Sequence, residues 1–210
     1  TLEIEKTISL RQMDPQAWLD LRSGGKCAFD LSEALFDRDF PGHYCRKIAS
    51  IAITIPAIVG PYQNVQATLT QQTSRVVLTN NIDTIQSLLP ADTNDTTLRS
   101  APSDDQLRSD WRDKQQIALS KGINDNGMFE LNFHDERYLP FEGTGAVSSW
   151  ELRMPKATNR IDFDSISDVI IHLRYTALDG GASLRQNVEK LIKKDAGFRL
   201  ISLRQQFSEE

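Results

Sequence analysis

Apolar and polar residues alternate with a period of two along most of this chain, which is the pattern of strands that bury one face. The opening stretch sets Leu2, Ile4, Ile8 and Leu10 against Glu3, Glu5, Thr7 and Ser9. Residues 48–55 carry the strongest β-pattern, with Ile51, Ile53 and Ile55 on one face and Ala52 and Thr54 on the other. Pro56 and Pro61 end it, because proline cannot donate to a central ladder. Residues 65–70 alternate again, and Val76 and Val77 extend β-character over residues 75–79. Further strands follow over 115–120, through Phe129, Leu131 and Phe133, through Trp150, Leu152 and Met154, and through Val169, Ile171, Leu173 and Tyr175. Residues 26–29 and the stretch through Phe198, Leu200 and Leu203 predict two shorter strands.

Helices break this rhythm in few places. Asp14-Pro15 opens one, since aspartate caps free N–H groups and proline fits the first turn. Trp18, Leu19 and Leu21 give it an apolar side, and Gly24-Gly25 ends it. Asp30 or Ser32 can cap a single turn reaching Phe36. Leu184, Val188, Leu191 and Ile192 fall at helical spacing, which predicts a helix over 183–194 after the Gly180-Gly181 break. Turns are marked by residues 40–44 and by Asn126-Gly127, where positive φ is tolerated. Residues 91–113 are rich in Asp, Thr, Ser and Arg, and their sparse apolar side chains predict a long exposed loop.

Eight or nine strands at near-regular spacing bury their apolar faces most simply as two packed antiparallel sheets. The expected fold is therefore mainly β: a two-sheet sandwich-like domain with one or two short helices. Residues 1–210 read as one domain. Residues 1–45 form a strand and helix lead-in, 46–181 the sandwich, and 182–210 a C-terminal helix and tail.

With 210 residues, such a chain can bury about 70% of its unfolded surface without a disulfide or metal staple. The formal net charge is -5. That balance, with basic residues scattered apart from Arg46-Lys47 and Lys193-Lys194, argues against a nucleic-acid partner. Cys27 and Cys45 fit neither a zinc pattern nor a redox pair, and read as free thiols rather than a disulfide. No apolar run approaches the roughly 20 residues of a membrane helix. A start at Thr1 without Met points to a fragment of a longer protein, while the polar end over 205–210 reads like a natural C-terminus.

Candidate chemistry is thin. A metal site needs converging ligands, and His43, His134 and His172 sit in unrelated pattern positions, as turn or surface histidines. Asp135-Glu136 and Asp162 with Asp164 raise glycoside hydrolysis, which needs two carboxylates facing across a cleft. Adjacent residues point apart in extended chain, so ion pairing and capping suit these acids better. Gly143-Thr144-Gly145 lacks the third glycine of a nucleotide fingerprint, and no nucleophile elbow occurs. No catalytic, metal or cofactor residue is therefore expected. The one feature suited to an interface is Trp111 between Arg108 and Arg112, since Trp and Arg dominate binding hot spots. The more ordinary role for Trp111 is to anchor the loop back onto the domain. A rival reading is a carbohydrate-binding module for host-surface recognition. It would use Trp111, Tyr62 and Tyr138 as its exposed aromatics.

The run from Asn124 to Phe133, NDNGMFELNF, continues as DERYLPFEG over 135–143. Three other segments accompany it in order. They are ALFDRDFPGHY over 34–44, ITIP over 53–56 with Gly60-Pro61-Tyr62, and ISDVIIHLRYTA over 166–177. Together they resemble the C-terminal TcB-binding domain of the A component (TcA) of bacterial Tc insecticidal toxin complexes, over about Glu5 to Gly181. The polar stretch over 100–114 shows little of the resemblance.

That resemblance implies a non-catalytic docking and assembly module, without cofactor, at the end of a very large secreted subunit. The family's subunit is a homopentamer with a pore-forming helical region. Its C-terminal domains form a funnel that docks the β-propeller of the B component. Docking admits the toxic enzyme held inside the B component to the translocation channel. No direct membrane insertion by this domain is implied, and the isolated domain is expected to be monomeric. No individual docking residue is carried by the motifs, so Arg108, Trp111 and Arg112 remain candidates from local composition alone.

Overall fold

The computed structural model describes residues 1–57, 65–89, 101–110, 115–121, 128–131 and 141–195. The chain begins with β1 (Leu2–Ser9), α1 (Leu10–Met13), α2 (Pro15–Gly24), β2 (Lys26–Leu31) and α3 (Glu33–Asp37). Two long strands follow, β3 (His43–Pro56) and β4 (Val65–Val77), then α4 (Ile82–Leu88). The strands β5 (Leu107–Asp110), β6 (Gln115–Lys121), β7 (Met128–Leu131) and β8 (Val147–Arg153) come next. A 3-10 turn over Phe163–Ser165, β9 (Ile170–Asp179) and α5 (Gly181–Asp195) complete the described chain.

The strands form two antiparallel sheets, as the alternation predicts. One is four-stranded in the order β1-β9-β3-β7; the other is five-stranded, β2-β8-β4-β5 with β6 also on β4. Their inner faces share one core. Ile51, Ile53 and Ile55 of β3 and Ile171, Leu173 and Tyr175 of β9 belong to the same buried cluster as Phe29, Leu31, Leu69, Trp150 and Leu152. Phe141 meets Trp150 edge-on at 4.8 Å between centroids, and Phe36 meets Tyr175 at 5.2 Å. A second, smaller cluster of Val77, Ile85, Leu184 and Val188 seats α4 and α5 against the end of β4.

The helices are more numerous than the expected one or two. The predicted helix at 14–24 is α2: Asp14 caps it by accepting from Ala17 N, and Gly25 closes it at φ 69. The turn through Phe36 is α3, and the helix over 183–194 is α5. The pattern missed α1 and α4, which have 4 and 7 residues.

Bulges explain why two strands read poorly from sequence. In β3, Ile48 pairs with Tyr175 but Ser50 with Arg174, so Ala49 is extra and both Ile48 and Ile51 turn inward. In β4, Gln71 pairs with Trp150 but Thr73 with Ser149, so Gln72 is extra. Burial then switches from Ala67, Leu69 and Gln71 to Ser74 and Val76. The two separate stretches predicted over 65–70 and 75–79 are one strand with a phase change. The predicted loop over 91–113 needs a similar correction. Residues 107–110 are β5, whose ladder runs from Val77↔Leu107 to Ser74↔Asp110. Residues 122–127, 132–140 and 196–210 lie outside the described residues, and with them Phe133 and the predicted last strand.

Candidate partner-docking surface

One surface pocket follows from the bulge at Gln72. Beside it, β4 pairs with β8 on one edge, and with β6 up to Gln71 and β5 from Ser74 on the other. Over this point folds the turn 141–146. Its backbone is tied to β3 of the opposite sheet: Gly143 N donates to Ile48 O at 2.8 Å, Ile48 N to Thr144 O at 2.8 Å, and Ala146 N to Arg46 O at 3.1 Å. Gly145 lies so close to the Arg75 backbone of β4 that any Cβ would overlap it. The turn therefore bridges both sheets, and a glycine is required where it crosses β4.

Bulge, strand end and turn enclose a polar pocket of about 320 Å³, lined by Gln71 to Ser74, Arg108, Asp110, Glu142, Gly143 and Thr144. Arg108 spans its rim. Nη2 donates to Gly143 O at 3.0 Å, and Nε sits 3.0 Å from Asp110 Oδ2. Gln71 Nε2 donates to Thr144 Oγ1 at 3.2 Å, and that hydroxyl donates to Phe141 O at 2.7 Å. Such a pocket can hold a polar group of a ligand or partner. Arg108 is thus a half-buried, positioned guanidinium rather than a free loop residue. Trp111, Arg112, Tyr62 and Tyr138 lie outside the described residues.

His134, Asp135 and Glu136 also lie outside the described residues, and the other singled-out residues have structural partners. His43 is buried and stacked on Phe40 at 5.5 Å, and burial lowers its pKa. His172 stands on the outer face of the first sheet, within 3.1 Å of Thr54 Oγ1 and 3.4 Å of Thr7 Oγ1. Asp162 caps the 3-10 turn by accepting from Asp164 N at 2.9 Å, and Asp164 pairs with Arg22 at 3.2 Å. Among the described residues, no group of three or more His, Cys, Asp or Glu could hold a metal ion. Cys27 and Cys45 are free thiols, and burial pushes Cys27 up to about 12, which makes it a poor nucleophile. No described helix is long and apolar enough to cross a membrane.

Sequence reasoning missed a buried charge cluster between α3 and β3. Cys45 and Arg46 together oppose Ala177 in a bulge between Tyr44 and Lys47, with Cys45 at φ 53. Arg46 is thereby turned inward toward α3. Its Nη1 donates to Glu33, and its Nη2 donates to Asp37 Oδ1 at 2.6 Å and to Phe40 O at 3.2 Å. Burial drives Glu33 up to about 7 despite the adjacent guanidinium, and Asp37 is raised for the same reason. The only sequence signal was the pair of acids four positions apart, which looks like an ordinary solvated helix face.

Comparison with known proteins gives a consistent picture. The family model for the Tc toxin complex TcA C-terminal TcB-binding domain matches residues 1–177, which include the polar stretch over 100–114. A curated relative, toxin subunit YenA2 of Yersinia entomophaga, is 38% identical over 194 residues, or 90% of this chain. The chain spans only 14% of that relative's length. A solved structure of Yersinia pseudotuberculosis TcaA-TcaB is 25% identical over 84% of this chain and 10% of that chain, with a TM-score of 0.47. Morganella morganii TcdA4 is 24% identical over 85% of this chain and 7% of that chain, with a TM-score of 0.44. The family relationship rests on the two sequence matches.

Proposed function

Because this chain belongs to the Tc toxin complex TcA C-terminal TcB-binding domain family, we propose that it is the docking module through which a large toxin A subunit engages its B component. The observation that carries this reading is the family match over residues 1–177, most of the chain. In this reading the domain binds the β-propeller of the B component as part of a homopentameric, secreted toxin. Its work is assembly, which lets an enclosed enzyme reach the channel. The module itself performs no chemistry.

The pocket beside Gln72 and the rim arginine Arg108 are our candidate for part of the docking face, with Trp111 and Arg112 next to them in sequence. A guanidinium already oriented by Asp110 and Gly143 loses little side-chain freedom on binding. Binding of the B component to the A subunit carrying this chain, measured by surface plasmon resonance, tests the function. We expect binding that is lost when this domain is deleted. Retained binding, or glycan binding without B-component binding, would overturn the docking role.

A further inference from the structure

We propose that Glu33, Asp37 and Arg46 form a one-proton switch that sets how firmly α3 is seated on β3. This does not depend on the docking reading. The side chains of Arg46, Glu33 and Asp37 are 2%, 2% and 0% exposed, so the cluster is sealed from water. It holds two carboxylates and one guanidinium. With both acids ionised, a net negative charge would be buried, which is costly in an apolar setting. A proton held by the carboxylate pair removes that charge.

Among the described residues, Arg46 is the cation that acts on either carboxylate, with no second one beside it. From α3 come Glu33 and Asp37 themselves, with the Phe36 ring 5.7 Å from the Arg46 guanidinium carbon. From β9 comes Tyr175, whose hydroxyl is buried without a hydrogen-bond partner and whose pKa burial lifts to about 12. Asp39, also near Tyr175, is paired at the surface with Lys6 of β1. On β3 itself, His43 is held toward its neutral form by burial and by Arg46 and Arg185, against Asp179. One oxygen of Asp37 and Nε of Arg46 are also buried without partners. The cluster is therefore one cation short of balance.

The sign follows from linkage. Glu33 moves from 4.5 to about 7 on folding, because burial and the Asp37 charge together outweigh Arg46. A raised carboxyl pKa means that the folded state holds a proton the unfolded chain has released. The resulting stability is fully present below about 4.5 and is lost as pH rises through about 7. Ionisation leaves an unbalanced buried charge, and the simplest relief is for the five-residue α3 to lift from β3. Arg46 also accepts the backbone bond from Ala146.

Melting of the 210-residue chain across pH 5 to 8.5, for wild type, Glu33→Gln and Asp37→Asn, tests the switch. Glutamine keeps an acceptor for Arg46 and cannot ionise. We expect the wild-type Tm to fall by roughly 5 °C over this range relative to Glu33→Gln. Taking the difference removes the opposite contribution of His43. Carboxyl NMR of the wild type gives a second readout that needs no variant. Glu33 should titrate near neutrality, with the hydrogen-exchange protection of Arg38 and Phe40, taken relative to the base-catalysed intrinsic rate, falling as it ionises. The same pH slope in Glu33→Gln as in wild type, or ionisation of Glu33 near 4.5, would overturn the proposal.

Discussion

The side chain of Asn159 pairs with the backbone of Gln66 in both directions: Gln66 N donates to Asn159 Oδ1 at 2.7 Å, and Asn159 Nδ2 donates to Gln66 O at 2.8 Å. The amide stands in for a strand. The β4·β8 ladder ends at Thr68↔Arg153, two residues short of Gln66, and Pro155 has no N–H to continue it. Asn159 is 3% exposed and also donates to Pro155 O at 2.9 Å, so its position is fixed.

Replacing Asn159 by Ala removes all three bonds and strands two backbone groups of β4. The expected cost is about 2 kcal/mol, read as a lower urea midpoint with unchanged slope. Asn159→Asp keeps the acceptor but sets a carboxylate against two carbonyls. It should cost at least as much at neutral pH and recover part of that loss in acid. A midpoint unmoved by either substitution would mean that water replaces the amide without loss.

Glycines separate crowding from backbone conformation in the turn over 141–146. Gly143 has φ 76 with open space around its Cβ position, whereas the Cβ position of Gly145 falls within the Arg75 backbone. Gly143→Ala should therefore cost only about 1 kcal/mol, the ordinary penalty for leaving glycine at positive φ. Gly145→Ala must push the turn off β4 and disturb Ala146 and Phe141, both buried. A cost of roughly 3 kcal/mol is expected, in the range of other overpacking changes. Chemical denaturation of the two variants side by side decides it. Equal costs would show that the turn can shift away from β4 freely.

The same distinction governs what the sequence revealed. Strands that keep one phase, such as β8 and β9, were legible because each buried residue sits two from the next. Once an extra residue enters, as at Ala49 and Gln72, the pattern reverses face and reads as an ending. Leu107 is the only apolar residue of β5, so its strand state comes from the ladder to β4 and not from its own composition. The buried acids Glu33 and Asp37 could not be told from solvated ones, because their burial depends on a bulge later in the chain, at Cys45 and Arg46 of β3. Of the candidate site, Arg108 was found by composition, whereas its fixed geometry depends on Gly143, a residue distant in sequence.

Arg108 separates docking from folding. Its side chain is 40% exposed, donates to Gly143 O and is ion-paired with Asp110. Exposed ion pairs contribute little, so Arg108→Ala should lower stability by less than about 1 kcal/mol. If the pocket rim meets the B component, the same change should weaken that complex about tenfold or more, as loss of a positioned interface arginine does. Arg108→Lys keeps the charge but cannot reach both partners in the same geometry, so it should recover only part of the affinity. Surface plasmon resonance on the A subunit, with melting of the same variants, reads both quantities. Weaker binding at an unchanged melting temperature places Arg108 in the interface. Unchanged binding by Arg108→Ala would move the docking face away from this pocket.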